Sequence, residues 1–259
     1  MRIGITGVVY ALMALFLLPS CVSGREKVRG NGKLVTRTVQ ITNFSDVELG
    51  SGIEGARNMV GMKKCTPVFN YTQSAEETTT LQITTDENLF SLLIVRVKDD
   101  RLVIRPEDKN KVLLPTSMEI NGTSKELRDL RVNGCMDFIA EGLVTTDDLN
   151  IHLSGVSTVK MDDLESKDVK VHLSGVGSIY LKGKADEGDF SVSGVGHIYA
   201  FDCPVNNLEC RVSGVGGAEV NATEHLSARL SGVGSLKYKG DAEIDANASG
   251  VGKIKRVDD

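Results

Sequence analysis

The amino-acid sequence predicts an all-β protein whose second half is a parallel β-helix-like solenoid with short strands and glycine corners. A motif of serine, glycine, valine and one small residue occurs six times, beginning at Ser154, Ser174, Ser193, Ser213, Ser231 and Ser249. The intervals between these serines are 20, 19, 20, 18 and 18 residues, close to the range that is typical of solenoid repeats. Helical periodicity is weak throughout, which leaves strands as the building elements.

The spacing of apolar residues around each serine predicts the shape of one repeat. Mostly apolar residues stand three and one positions before the serine, and two, five and seven positions after it. Inward side chains of a strand recur every two residues, so each interval of three predicts a bend. We therefore expect two short strands joined by a corner that is plugged by the valine, followed by a polar loop. Consecutive antiparallel hairpins in a sandwich are the alternative, but they would need alternation without the odd intervals.

The glycines next to the valines are predicted to form structural corners, because glycine tolerates the tight approach and positive φ angles of such bends. A nucleotide-binding loop would need a following helix, and a calcium-binding repeat would need an aspartate inside the turn. Neither is present, so no cofactor or metal is expected at the motif. The corner glycines are Gly155, Gly175, Gly177, Gly194, Gly196, Gly214, Gly216, Gly232, Gly234, Gly250 and Gly252.

The whole chain is predicted to divide into four parts, of which three precede the repeats. Residues 1–20 have a positive start and a short apolar run, and are predicted to be a lipoprotein signal peptide. Residues 21–35 are expected to form a tether, and residues 36–117 an N-terminal β region that ends in a charged linker over 106–117. Residues 118–259 form the solenoid, including a degenerate first copy at 130–140, and 36–259 is expected to be one continuous domain.

Cys21 follows Leu18-Pro19-Ser20, an arrangement that resembles the bacterial lipobox, in which the cysteine is lipidated. The alternatives are an ordinary cleaved secretory signal with an incidental cysteine, or a transmembrane anchor. Val22 replaces the aspartate that retains many lipoproteins at the inner membrane, so we expect an outer-membrane lipoprotein, with either side of that membrane open.

The remaining cysteines and the charge restrict the function further. Cys203 and Cys210 flank a turn-like stretch in an exported chain, so they are expected either to form a disulfide or to be small buried residues. No cysteine or histidine spacing typical of zinc is present. The formal net charge is −5 without a basic stripe, which argues against nucleic acid as a partner.

Outward positions of the repeats supply a candidate ligand face. Tyr180 and Tyr199 are expected to lie one rung apart, where adjacent aromatic rings can stack against a sugar. Basic residues and histidines recur two positions before the serine, namely His152, His172, Arg211 and Arg229. Neighbouring acidic positions could neutralise this column instead. No convincing cluster of carboxylates, or nucleophile with a base, appears; Asp189, Glu209 and Arg211 are the nearest approach. The sequence therefore predicts no enzyme.

These residues resemble the head GIN domain family of putative auto-transporter adhesins, common in lipoproteins of Bacteroidetes. The resemblance runs from Thr36 to the C-terminus and includes Phe44-Ser45-Asp46-Val47, Asp86-Glu87-Asn88-Leu89, the Val97–Leu102 hairpin and the Ser-Gly-Val-Gly ladder. It implies a pectin lyase-like β-helix without catalytic residues, and an adhesive role. The prediction is a non-catalytic, lipid-anchored cell-envelope protein that serves as an adhesin or structural module. The alternative is a carbohydrate-active or glycan-binding β-helix.

Overall fold

The structure is a computed structural model that describes residues 25–55, 65–76 and 80–257. Strands dominate this part of the chain, and the fold is a parallel β-solenoid with an irregular N-terminal β part, which confirms the predicted fold class. The elements are β1 (Glu26–Arg29), β2 (Leu34–Gln40), β3 (Asp46–Leu49), β4 (Val68–Gln73), β5 (Thr80–Asp86), α1 (Glu87–Phe90), β6 (Leu93–Lys98), β7 (Arg101–Pro106), β8 (Lys111–Leu114), β9 (Met118–Ser124), β10 (Asp129–Val132), β11 (Asp137–Leu153), β12 (Val156–Leu173), β13 (Val176–Val192), β14 (Val195–Val212), β15 (Val215–Leu230), β16 (Val233–Lys239), β17 (Glu243–Ala248) and β18 (Val251–Arg256).

Two long sheets form the main sides of the solenoid. Sheet A holds the strands that run into the corners, in the order β6, β7, β3, β10, the last segments of β11 to β15, and β17. Sheet B holds the strands that leave the corners, in the order β2, β5, β9, β4, the first segments of β11 to β15, β16 and β18. The pairs β2–β5, β5–β9 and β6–β7 are antiparallel, and the other neighbours are parallel.

A short third side joins sheet B back to sheet A, where the sequence predicted a polar loop. The middle segments of the long strands pair here, for example Val144 with Leu164 and Glu165 with Lys184. Val144 and Leu164 are fully buried. The loop prediction is therefore wrong: one inward residue per rung is enough to close a prism, although the surrounding residues are polar.

The corners stack directly on one another through backbone atoms. The amide of each corner valine donates to a glycine carbonyl of the preceding rung, as Val176 does to Gly155 over 2.9 Å. A Cβ added at any of the eleven predicted corner glycines would come within 1.6–2.2 Å of a carbonyl oxygen on the rung before. Gly134 continues this stack toward Gly50, so the degenerate copy at 130–140 is a rung, as predicted. The seven corners from Gly134 to Gly250 bound about six turns.

The corner valines point outward, which corrects the prediction that they plug the corners. Val176 is 48% exposed and Val251 is 76% exposed. The alternation of inward and outward positions continues unbroken through the corner. Leu173 and Ile179 are buried, and Gly175 and Gly177 occupy the two inward positions between them. The sequence pattern shows intervals of three on either side of the valine because the true inward residues of the corner are glycines. A pattern of apolar residues does not include glycine and counts the outward valine in its place.

The N-terminal β region contains the predicted strands and the predicted β6–β7 hairpin, whose turn residues Asp99 and Asp100 have φ angles of 50° and 58°. It also contains β4, which the sequence did not predict, and it is followed by β9, an unpredicted strand at the start of the stretch 118–259. Phe69 of β4 stacks on Phe138 with ring centroids 5.6 Å apart, so β4 joins the core of sheet B. The stretch 58–80 is therefore partly an integral strand, although residues 56–64 and 77–79 lie outside the described residues.

The predicted tether and linker meet each other. Within 21–35, β1 pairs in parallel with β8, which lies in the stretch expected to be a linker. The fully buried Asp86 fastens this part, because its carboxylate accepts hydrogen bonds from the amide of Gly32 and from the amide and hydroxyl of Thr116, each 2.7 Å long. The described chain is thus folded from residue 26 onward, earlier than predicted.

The outward valines generate a stability prediction. Val176→Asp should lower the free energy of unfolding by about 1 kcal/mol or less, since the new carboxylate remains hydrated. Ile179→Asp, three residues later on the same strand, should cost about 3 kcal/mol or more because it buries an unpaired charge. Urea unfolding of both variants checks this; equal losses for the two would show that the corner valine is inside.

Candidate functional surfaces

The predicted tyrosine pair lies on the outer face of sheet B as part of a longer stack. Tyr180 and Tyr199 are in register on neighbouring rungs, with ring centroids 4.7 Å apart and an interplanar angle of 9°. This separation is the rung spacing of the sheet, so the rings face each other along the solenoid axis. Nζ of Lys160, one rung earlier, lies 5.7 Å from the centroid of the Tyr180 ring.

His197 covers the other face of Tyr199. Its ring centroid lies 4.4 Å from that of Tyr199 at a tilt of 30°. Two rings this close to Tyr199 cannot share one of its faces, so His197 and Tyr180 lie on opposite sides. Gly217 leaves the space for this, because a Cβ there would come within 3.0 Å of His197 Cε1. The ring of Tyr199 therefore has an aromatic neighbour on each face, and the ring of Tyr180 lies between Tyr199 and Lys160. A sugar ring cannot lie flat across the pair.

The stack ends in a small polar cluster that the sequence reasoning missed. Nε2 of His197 lies 4.0 Å from Oε1 of Glu219, which also accepts from Nζ of Lys237 over 3.0 Å. Burial lowers the pKa of the His197 imidazole, against the opposing effect of the Glu219 carboxylate, while Lys237 adds to the lowering. Glu219 and Lys237 pair with each other, and the lowered pKa keeps the His197 imidazole neutral at neutral pH.

The other predicted ligand residues form one column on sheet A. The register runs from Arg131 through His152, His172, Ser191, Arg211 and Arg229 to Asn247. The rings of His152 and His172 are 6.2 Å apart, and Nδ1 of His172 lies 2.7 Å from the Ser191 hydroxyl. Burial lowers the pKa of His152, although Asp129 opposes this. Among the described residues there is no group of three side chains that could hold a metal.

The basic members of this column are paired with carboxylates. Arg211 bridges Asp189 over 2.8 Å and Glu209 over 2.6 Å, and Arg229 meets Asp245 over 2.6 Å. These pairs lie within the column or in the acidic column beside it, so the face neutralises itself. The residues nearest to a pectin lyase arrangement, Asp189, Glu209 and Arg211, do come together, but as an exposed ion-pair network.

The six predicted ligand residues therefore occupy two different sides of the prism. Tyr180 and Tyr199 face out from sheet B, whereas His152, His172, Arg211 and Arg229 face out from sheet A. The position of each residue relative to the motif serine correctly predicted which residues share a column. It did not predict that the corner directs the tyrosine column and the histidine-arginine column to different sides. No single ligand face unites them.

Cys203 and Cys210 are free, buried thiols, so the proposed disulfide between them is absent. Burial raises the pKa of each to about 12, which keeps both protonated and unreactive at neutral pH. The second reading of the sequence, small buried core residues, describes them.

The corner valines form an exposed apolar edge that the sequence reasoning missed. We define the valine edge as Val156, Val176, Val195, Val215, Val233 and Val251, which stack in continuous register along the corner. Their exposed fractions range from 48% to 76%. The motif residues beside them are serine and glycine, so the motif itself adds no charge to the edge, although Arg25 and Glu54 line the groove next to Val156 and Val176. Counting inward positions every two residues through the corner glycines would have predicted that the valines face outward.

Comparison with known families and structures is consistent with this architecture. A family model described as "Putative auto-transporter adhesin, head GIN domain" matches residues 67–242, which is more than half of the chain. The chain belongs to this family. The head GIN domain begins at the start of β4 and ends at the loop before β17, so it contains most of the solenoid. Family membership indicates a cell-envelope or surface protein.

Solved structures resemble this head GIN domain protein over nearly its whole described length. A putative adhesin from Bacteroides fragilis NCTC 9343 is 32% identical with a TM-score of 0.78, covering 89% of this chain and 100% of that one. A putative lipid binding protein from Parabacteroides distasonis ATCC 8503 is 28% identical with a TM-score of 0.70, covering 90% and 100%. A putative adhesin from Parabacteroides merdae ATCC 43184 is 26% identical with a TM-score of 0.67, covering 90% and 100%.

No curated protein sequence matches this head GIN domain protein. Within residues 25–55, 65–76 and 80–257, no helix has the length and apolar character needed to span a membrane. Residues 1–20, predicted to be a signal peptide, and Cys21 lie outside the described residues.

The buried imidazole of His197 generates a pH prediction. Because its folded-state pKa lies below the ordinary value of 6.5, the unfolded chain binds the proton more readily. Stability should therefore be lost as the pH falls from about 7.5 to about 5.5, and His197→Gln should reduce that loss. Urea unfolding at the two pH values checks it. Ser235→Ala, in the same column, serves as control and should keep the wild-type dependence; an unchanged dependence in His197→Gln would contradict the prediction.

Proposed function

We propose that this protein is a non-catalytic, lipid-anchored adhesin of the cell envelope, held at the outer membrane through Cys21. The observation that carries the adhesive role is the valine edge. A contiguous row of apolar side chains on a protein surface marks a contact site. Here the row extends over six rungs between faces whose charges neutralise each other.

The chemistry of the edge favours a protein partner. Valines offer a sugar neither hydrogen bonds nor a ring face, and the uncharged motif offers nothing to a polyanion. An apolar groove or strand of another protein, lying along the solenoid axis, would bury the row. The tyrosine stack does not favour the glycan alternative, since the faces of Tyr180 and Tyr199 are already covered.

The anchor fits the position of the first described residue. Only residues 22–24 separate Cys21 from Arg25, which leads directly into β1. An extended chain spans at most about 3.5 Å per residue, so a lipid on Cys21 would lie within about 14 Å of Arg25. Arg25 lies in the same groove as Val156 and Val176, and the lipid would therefore hold the solenoid close to the bilayer.

The anchor predicts a labelling result. Cys21→Ala should abolish incorporation of labelled palmitate into the chain expressed in its bacterial host. Cys65→Ala is the matched control and should keep the wild-type label, because a thiol within the folded part is not the lipidation site. Palmitate labelling that persists in Cys21→Ala would exclude the lipid anchor.

The adhesive role predicts loss of attachment without loss of fold. Cells carrying the double variant Val195→Asp with Val215→Asp should bind a protein-coated surface about tenfold less than wild type, which corresponds to 1.4 kcal/mol. Leu143→Asp is the control, since Leu143 is 48% exposed but lies away from the edge.

Two further measurements decide between the readings. Protease added to intact cells should cleave the chain, and full protection would remove the possibility of adhesion between cells. Specific binding on a glycan array, or release of products from a bound polysaccharide, would favour the carbohydrate alternative and contradict the non-catalytic one.

A further inference from the structure

The two ends of the solenoid differ. At the N-terminal end the sheets finish in antiparallel strands, β2 on β5 and β6 on β7, which turn away from the parallel stack. At the C-terminal end, β17 pairs only with β15 and β18 only with β16 among the described residues. Each of these last strands therefore presents one open edge of backbone donors and acceptors, which is a template for another strand.

The last rung also leaves apolar residues without a layer beyond them. Ile244 and Ile254 pack against the core from one side only and remain partly exposed, whereas Val171 and Ile179, inward residues of an inner rung, are buried. Solenoids require a cap at such an end, because every inner rung is stabilised by a neighbour on both sides.

The outward residues of the last rung carry opposite charges on its two strands. β17 presents Glu243 and Asp245, and β18 presents Lys253 and Lys255. Neither lysine forms an ion pair within the described residues, and Lys255 stands in register above Lys237, a charge of the same sign. Lysines on an edge strand normally oppose pairing, unless the incoming strand brings carboxylates to the same positions.

We propose that a second copy of this chain caps the C-terminal rung through a two-fold axis at Ser249. The axis lies perpendicular to the solenoid and bisects the corner between β17 and β18. Rotation about it places β17 of one copy antiparallel on β18 of the other. Antiparallel neighbours that face each other point their side chains to the same side of the sheet.

The register centred on Ser249 is self-complementary. It sets Asp245 opposite Lys253 and Glu243 opposite Lys255 on the outer face, and Ile244 opposite Ile254 on the inner face. The parity is correct because alternation continues unbroken through the corner. Both strands contribute, so each contact occurs twice, as in any isologous interface. A head-to-tail arrangement is unavailable, since the N-terminal end presents no matching parallel rung.

A cross-linking experiment on the full chain tests the axis. Ser249→Cys should form an oxidised species of twice the chain mass in the purified protein, because the two cysteines face each other across the axis. Ser231→Cys is the matched control: it is the same exposed serine of the motif one rung inside, and should give no such species. A Ser249→Cys thiol that reacts with maleimide but does not cross-link, or equal cross-linking of both variants, would overturn the proposal.

Charge reversal tests the register. Adding Lys255→Glu to Ser249→Cys should reduce the cross-linked fraction about tenfold, as like charges then face each other twice across the axis. Adding Glu243→Lys to that variant should restore it; Asp245 is left unchanged because it pairs with Arg229 of its own copy. Reduction without restoration would mean that the copies do not meet in this register and would contradict the proposal. The result is independent of palmitate labelling and attachment, so it can fail while the proposed function stands.

Discussion

Successive corners are in direct backbone contact, and this contact sets the geometry of the solenoid. A glycine carbonyl of one rung accepts from the valine amide of the next, and the space between them is too small for a Cβ. Any side chain at these positions would force the rungs apart at the corner, while the strands on either side demand the usual spacing of about 4.8 Å. At Gly216 the φ angle of 139° is also one that other residues rarely adopt.

Because neighbouring rungs pair in a constant register, residues at the same distance from the motif serine form a column on the surface. Residues that share an offset from the serine come within one rung spacing of each other, so their interactions are decided by what the repeats carry there. Tyr180 and Tyr199 stack, Arg211 finds the carboxylate of Asp189 one rung away, and the corner valines line up as an edge. Most outward polar groups are satisfied within their own face. Within the described residues, the valine edge and the open last rung stand out as surfaces without a partner.

These two surfaces suggest a division of tasks along one molecule. The lipid proposed at Cys21 would lie near Arg25, beside the first valines of the edge, the valine edge runs along a side of the solenoid, and the two-fold contact would join the C-terminal ends. A protein built in this way would present two equivalent edges from one assembly, which favours attachment through many weak contacts over a single enclosed site.

The sequence determined the repeat unit, the parallel stacking and the identity of each column, because the spacing of the motif fixes which residues share an offset. It also determined the β6–β7 hairpin through Asp99 and Asp100. Only the tertiary structure decided which way the corner residues face. The inward corner positions carry glycine, which gives no hydrophobic signal, so the sequence pattern assigned the inward position to Val176 instead. The partners of β4 and β1 were likewise invisible in the sequence, because β4 and β1 themselves lie outside the repeat and pair with strands far along the chain. Tyr180 and His172 lie on different sides of the solenoid because the chain changes direction at the corner between them. The spacing of residues along the sequence does not give the angle of that turn.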